Sequence, residues 1–323
     1  MTETLKKIPV IAIVGPTASG KTRMAVELAK KYNAEIVSAD SMQIYKGMDI
    51  ASAKPDREEM QGIKHHLMDF LDSSVRYSVK KFSEDAKIAI EDITKRKKNV
   101  IICGGTGLYV DSLLQNIVFE DEPDNTEIRE RLRKRREEEG IEVLYEELKQ
   151  LDPVTAENLH INNEGRILRA LETYYLTGEL PSVLRARSKA QETPYDALYI
   201  CLDYMKRDTL YDRINKRVDI MIEKGLIEEA KQYFSLSESF TSAQAIGHKE
   251  LIPYLKGEIT LEEATDNLKK ATRHYAKRQL TWFRRNADIN TLYCDKYEDF
   301  SYAVDAAAEI IENWGRIKAG EVY

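Results

Sequence analysis

Cysteine is scarce. Cys103, Cys201 and Cys294 are the chain's three, far apart and without metal-ligand spacing, which excludes a cysteine-built metal site. They read as buried strand residues. No run of about 18 apolar residues occurs, so no membrane span is expected. The opening segment MTETLKKIPVIAIVG carries its apolar run straight into a glycine loop and offers no small-residue cleavage site, so the reading is cytoplasmic. An internal repeat and a low-complexity tract are also missing. So is any excess of positive charge: 49 Lys and Arg face 55 Asp and Glu, a formal net charge of −6. That balance argues mildly against nucleic acid. Binding, however, is decided by where the cations lie and not by their sum. What is present is 323 residues, 42% hydrophobic and 32% charged, enough for one large domain or two modest ones with a proper core.

IPVIAIVG (8–15) is a β-branched run ending at a glycine and reads as a buried parallel strand. GKTRMAVELAKKYN follows, with Met24, Ala25, Leu28 and Ala29 at helical spacing and Asn33 as a stop. AEIVSAD (34–40) is a second strand, and residues 78–99 form an amphipathic helix through Phe82, Ala86, Ala89, Ile90 and Ile93. VIICGGTGLYVDSLL (100–114) is a third strand, a glycine turn and a helix start. Such alternation implies a parallel sheet covered on both faces. Between 121 and 191 no strand is expected, only charged helices with thin apolar stripes. The alternation resumes at ALYICLD (197–203), followed by helices over 207–225, 227–234, 260–286 and 300–314 and a last strand over 289–295.

Gly15, Pro16, Thr17, Ala18, Ser19, Gly20, Lys21 and Thr22 spell G-x-x-x-x-G-K-[ST] between a predicted strand and a predicted helix. Backbone N–H groups converge on phosphate oxygens in such a loop, and the helix N-terminus adds partial positive charge. Lys21 supplies a point charge and Thr22 a ligand for Mg²⁺. The fold class expected is therefore α/β, a P-loop NTPase-like parallel sheet flanked by helices. Its core spans 1–120 and 192–323, with an all-helical domain inserted at 121–191. The loop says diphosphate or triphosphate, not which. A nucleotidase normally adds a second carboxylate for Mg²⁺ at another strand end; glycines follow the third strand instead, and Asp203 after the fourth is the remaining substitute. A guanine-reading N-K-x-D motif is absent.

Asp40 ends the second strand, at the sheet edge where ligands of open α/β folds sit. It reads as a general base or as a helix N-cap. Gly104, Gly105, Thr106 and Gly107 form a second glycine turn. His65 and His66 have no assigned role. Arg213 and Arg217, four apart on one helix face, read as a clamp on the diphosphate or as surface partners of Asp212 or Glu223.

GPTASGKT, ADSMQIYKGMDIASAKP, HHLMD, CGGTGLY, GRILRALE, AIGHKE and AKRQLTWFRR occur in this order from Val10 to about Arg285. Together they resemble the isopentenyl-tRNA transferase family, the tRNA dimethylallyltransferases. The resemblance implies that dimethylallyl diphosphate is the donor. The acceptor is then N6 of the adenosine 3′-adjacent to the anticodon, in tRNAs reading codons that start with U. Diphosphate leaves and no nucleotide is hydrolysed. It further implies that Asp40 is the base, that Thr17 contacts the reacting end, and that Asp40, Ser41, Met42, Gln43 and Thr106 meet the tRNA. Gly165, Arg166, Ile167, Leu168 and Arg169 would touch the anticodon stem-loop. Gly165 stands where a polar side chain such as Gln can occur, so Arg166 and Arg169 carry that expectation. Cations without acids in 272–285, interleaved with aromatics, suit RNA: Arg273 and Lys277 with Arg284 on one face, Arg278 with Arg285 beside them. RERLRKRR (129–136) reads as RNA-facing or as a solvated helix. No obligate protein partner is expected. The rival readings are a kinase using ATP in the same loop and a nucleotide-driven RNA-binding protein.

Overall fold

A computed structural model describes residues 7–118, 126–188, 192–233 and 245–318. In chain order its elements are β1 (Ile8–Val14), α1 (Lys21–Lys31), β2 (Ala34–Ser38), α2 (Arg57–Met60), β3 (His65–His66), α3 (Val79–Lys95), β4 (Asn99–Gly104) and α4 (Gly107–Leu114). Five helices follow: α5 (Thr126–Glu139), α6 (Ile141–Leu151), α7 (Pro153–Glu157), α8 (Glu164–Thr177) and α9 (Pro181–Ser188). The chain ends through β5 (Tyr195–Asp203), α10 (Arg207–Glu223), α11 (Leu226–Tyr233), α12 (His248–Leu255), α13 (Leu261–Phe283), β6 (Asn290–Tyr293) and α14 (Phe300–Trp314). It divides into two compact units, Met1–Leu114 with Thr193–Tyr323, and Gln115–Glu192. The expected boundaries at 121 and 191 lie outside the described residues.

The first unit holds a six-stranded sheet in the order β3-β2-β4-β1-β5-β6, with every pairing parallel. Successive strand residues face opposite sides, and the core splits accordingly. Ile11, Ile13, Ile101, Ile200 and Leu202 pack with α1, α10, α13 and α14 on one face. Val10, Ala12, Val14, Val100 and Ile102 pack with α3 and α4 on the other. Apolar runs such as Val10–Val14 and Val100–Ile102 are what a sheet buried on both faces requires. This is the α/β fold expected from the alternation. Cys201 and Cys294 are buried and Cys103 is half-buried, all as free thiols. No described helix is long and apolar enough to cross a membrane.

The second unit is helical, with Leu132, Leu144, Leu148, Ile167 and Leu171 at its centre. In it most cations of 129–136 are tied to glutamates: Arg129 to Glu172, Lys134 to Glu138, Arg135 to Glu139 and Glu147, and Arg136 to Glu164. Arg131 lies over the Tyr175 ring. The run is thus largely an internally neutralised helix face.

One sheet element escaped the periodicity. His65–His66 forms the edge strand β3, too short to alternate. Its anchor is Glu35, a β2 side chain 3% exposed that accepts from Arg96 Nη1 and Nη2 at 2.5 and 2.7 Å and lies 2.7 Å from His66 Nε2. Lys98 Nζ is 2.9 Å away. The Arg96 bonds, with help from His66 and Lys98, outweigh burial and hold this carboxyl well below the usual range. Stability from a depressed carboxyl is present above the unfolded value of about 4.3 and is lost as pH falls. Glu35→Gln should therefore cost about 2–3 kcal/mol in urea unfolding at neutral pH, since charged hydrogen bonds are broken at a buried acceptor. The deficit should shrink on acidification below pH about 4. Equal wild-type and variant midpoints at pH 7 would contradict this account of the edge.

Candidate functional site

The site is built where β1, β2, β4 and β5 end. β1 stops at Val14, and the chain turns through Gly15–Gly20 into α1. Gly20 sits at the N-cap with φ 96° and gives no side-chain cap, so the first N–H groups of α1 are not claimed by one. Ala18 adopts a left-handed φ of 61°, an uncommon conformation for a residue with a Cβ and a form of strain that gathers at ligand sites. Lys21 Nζ folds back to donate to Pro16 O at 2.6 Å. Burial pushes the Lys21 ammonium down to about 8, and Arg217 adds repulsion, against opposing pulls from Cys103 and Asp40.

Two arginines of α10 reach this turn. Arg213 Nε donates to Ala18 O at 2.9 Å, and Arg217 Nη1 to the Thr17 hydroxyl at 3.4 Å. Among the described residues neither pairs with Asp212 or Glu223; both turn to the phosphate loop instead. Burial and Arg213 lower Arg217, while Asp40 and Glu59 raise it. Three cations thus crowd one turn, a charge distribution suited to a polyanion.

Asp40 follows β2 and is half-buried. Its Oδ1 accepts from the backbone N–H of Met42 at 2.9 Å. The residues after it form turns, not a helix, so the alternative N-cap role resolves into a two-residue turn cap. Ser41 N donates to Thr106 Oγ1 at 3.0 Å, and Thr106 N to Ala39 O at 3.2 Å, which interlocks the ends of β2 and β4. Met42 packs at the edge of the core. The amide of Gln43 is occupied within the segment: Ser38 Oγ donates to Oε1 at 3.0 Å, and Nε2 lies 3.4 and 3.5 Å from Ser52 O and Ala53 O. Gln43 shapes this segment before it can read a base edge.

Sequence reasoning missed the residues of α13 that complete the site. Gln279, buried, accepts from Thr17 N at 2.8 Å and donates from Nε2 to Gly105 O at 3.0 Å, joining the phosphate loop to the second glycine turn. A Cβ at Gly105 would overlap the Gln279 amide, and one at Gly107 the Trp282 ring. Those glycines admit α13 to the sheet edge. Burial, then the nearby Asp40 charge, raise the Tyr275 phenol, which also faces Thr106. The run AKRQLTWFRR stands out in the sequence by its cations. The signal for Gln279 was a polar residue among the apolar positions of that helix.

The expected cations of α13 separate. Lys277 and Arg278 are exposed, Arg278 lying over the Tyr275 ring at 5.6 Å. Arg273 is half-buried and donates to Asn215 of α10 at 2.6 Å. Arg284 pairs with Asp203 at 3.0 Å, and Arg285 stacks on Trp282 at 4.1 Å. Asp203 is 1% exposed; its other oxygen accepts from Tyr204 N, so it is no open substitute for a metal carboxylate. In the helical unit Ile167 is a core residue whose side chain cannot meet RNA, and Leu168 packs against the same core. Gly165 and Arg166 are exposed on α8, and Arg169 lies 3.1 Å from Glu172.

Thr22, half-buried in the first turn of α1, offers one hydroxyl. Among the described residues no group of three His, Cys, Asp or Glu could hold a metal. Such a donor set fits Mg²⁺, which keeps its waters and is held through one or two protein oxygens plus phosphate. It does not fit a preformed all-protein cage.

A profile of the family described as IPP transferase matches residues 43–286. The chain is 46% identical over 296 residues to the tRNA dimethylallyltransferase of Caldanaerobacter subterraneus subsp. tengcongensis, covering 91% of this chain and 94% of that one. To its namesake in Bacillus cytotoxicus it is 48% identical over 281 residues, covering 87% and 88%. Among solved structures it superposes on the tRNA isopentenylpyrophosphate transferase of Bacillus halodurans with TM-score 0.71 and 42% identity, covering 95% of this chain and 96% of that one. A eukaryotic dimethylallyltransferase acting on tRNA gives TM-score 0.77 and 33% identity over 95% and 79%.

With burial holding the Lys21 ammonium at about 8, an arriving diphosphate should restore its proton above that pH. Calorimetry of inorganic diphosphate binding, run in two buffers of different ionisation enthalpy, should show greater proton uptake by wild type at pH 8.5 than at pH 6.5. Lys21→Arg, charged throughout, should take up fewer protons than wild type at pH 8.5, the ionisation of the diphosphate being common to both proteins. Equal uptake by both proteins at pH 8.5 would contradict a Lys21 that regains its proton when the anion arrives.

Proposed function

From the premise that this chain belongs to the IPP transferase family, we propose how its own residues carry out dimethylallyl transfer to tRNA. The chain is an enzyme of that reaction. The donor is dimethylallyl diphosphate, and the acceptor is N6 of the adenosine 3′-adjacent to the anticodon in tRNAs reading codons that start with U. The observation that carries the assignment is the convergence of Lys21, Arg213 and Arg217 on Gly15–Thr22, with Asp40 at the end of β2, one strand removed from β1 on the same sheet edge.

The loop holds the departing diphosphate. Lys21, the Arg213 and Arg217 guanidiniums and the N–H groups at the start of α1 stabilise the charge that grows as the C–O bond breaks. Charge developing on a leaving group is met by donors already in place, so little reorganisation is needed at the moment of reaction. Mg²⁺, bound by the diphosphate and Thr22, would neutralise part of that charge. Thr17 orients the reacting end, with its N–H fixed by Gln279 and its hydroxyl beside Arg217.

Adenine N6 is a weak nucleophile because its lone pair is delocalised into the ring. Asp40 accepts its proton through the carboxylate oxygen not engaged by Met42. Reaching N6 requires the base to leave its stack, at a cost of a few kcal/mol. Ser41, Met42, Thr106 and the backbone beside Gln43 receive it. Lys277 and Arg278 meet the phosphates, together with Arg273 from its position against α10. The helical unit contributes Arg166 and Arg169, with Gly165 and the backbone of Ile167 and Leu168, to the anticodon stem-loop. An acidic chain can hold RNA this way because the cations gather at particular places.

Asp40→Asn preserves an acceptor for Met42 N–H and removes the base. It should lower the single-turnover rate by about 10²–10⁴-fold, the usual contribution of a positioned general base. The tRNA dissociation constant should stay near wild type. The product is read by chromatography and mass spectrometry of nucleosides from digested, initially unmodified tRNA. Wild-type turnover by Asp40→Asn would take Asp40 out of the chemistry.

A further inference from the structure

Behind the segment that follows Asp40 stands a buried polar cluster that the chemistry above does not use. Residues 43–54 form turns with one isolated bridge, Tyr45 to Leu71, and lack a ladder to pair their N–H groups. Glu229 of α11 supplies the partners. Its Oε2 accepts from Asp49 N at 2.9 Å and Ile50 N at 2.7 Å, and its Oε1 from Ala51 N at 2.9 Å. His248 Nε2, at the start of α12, lies 2.8 Å from the same Oε1. Both side chains are buried. Burial would raise the Glu229 carboxyl, but His248 and the N–H groups of Ile50 and Ala51 outweigh it and hold it below its usual range.

Tyr233 extends the support. Its ring stacks on His248 at 4.9 Å, and its hydroxyl donates to Lys46 O at 3.0 Å, in the space a Cβ on Gly47 would fill. On its other side the segment is closed by Lys54, whose Nζ donates to Tyr45 O at 2.8 Å, Asp49 Oδ1 at 2.5 Å and Asp69 Oδ1 at 2.7 Å. The path to the site is short. Ser52 O and Ala53 O, next to the captured N–H groups, face the Gln43 amide, whose Oε1 takes the Ser38 hydroxyl two residues before Asp40.

We infer that Glu229, oriented by His248, is a positioning pair for the acceptor side: it sets the placement of 43–54 and through it the presentation of Asp40, Ser41 and Met42 to the adenine. This rests on the reading of Asp40–Gln43 as the acceptor side. One carboxylate holding three successive N–H groups is hard to replace, because truncation leaves those donors orphaned. The phosphate loop has its own supports, Gln279 and α10, so the donor side does not depend on this pair.

The test uses the full chain with Glu229→Gln, His248→Leu and His248→Gln. Glu229→Gln should lower single-turnover transfer to unmodified tRNA by about 10–100-fold, as expected for a misplacement near 1 Å, with calorimetric affinity for inorganic diphosphate and Mg²⁺ within about twofold of wild type. His248→Leu should follow it, and it carries the test if Glu229→Gln does not fold. His248→Gln, whose amide can still donate to Glu229, should recover most of the rate. Wild-type turnover in Glu229→Gln or His248→Leu would overturn the inference. So would loss of diphosphate affinity in step with turnover, which marks general destabilisation. If wild-type protein forms no N6-dimethylallyladenosine, the acceptor reading itself fails and the inference falls with it.

Discussion

Everything at this site follows from positive charge that is crowded and only partly balanced. Lys21, Arg213 and Arg217 are brought to one backbone turn, where burial and mutual repulsion already depress Lys21 to about 8. Such an arrangement is costly without an anion and becomes favourable with one, most of all with an anion whose charge grows during the reaction. A phosphate loop that serves ATP hydrolysis needs a carboxylate to hold its metal at a second strand end. Here Asp203, at that position, is neutralised by Arg284. The same loop is better suited to letting a diphosphate leave.

α13 makes this possible. It donates no charge to the turn, yet Gln279 links Thr17 to Gly105, and its close approach is admitted by glycines after β4. Tyr275, one turn earlier, faces Thr106, and the Asp40 charge reaches its phenol. The phosphate loop and the segment after Asp40 are therefore tied through one helix but braced separately, the loop by α10 and the segment by α11 and α12. The division suits a two-substrate reaction in which a small diphosphate and a large RNA must each be placed.

The legible parts were the local ones. Gly15–Thr22 shows itself because eight contiguous residues make the whole phosphate turn, and the β1, β2, β4 and β5 runs each carry an apolar stretch buried on both faces. Contacts across the chain left no such pattern. Gln279 meets Thr17 across 262 positions, and nothing near either residue announces it. β3 is two residues long, below any periodicity, and is held by Glu35 from another strand. Ile167 was grouped with its basic neighbours by motif, although its helical spacing puts it in the core of its unit. Gln43 looked free to read a base because a sequence does not show that Ser38, Ser52 and Ala53 surround its amide. Most cations of 129–136 have glutamate partners, several of them on other helices of that unit. Charge runs disclose composition; only the fold discloses pairing.

The loop's phosphates depart together while an amine takes the carbon. Dimethylallyl diphosphate labelled with ¹⁴C in the allyl group and ³²P in the diphosphate, incubated with Mg²⁺ and unmodified tRNA, reports both fates at once. One intact diphosphate should be released for each allyl group fixed in tRNA, with no monophosphate and no turnover of added ATP. Phosphate label in the tRNA, release of monophosphate, or ATP turnover without allyl transfer would contradict it.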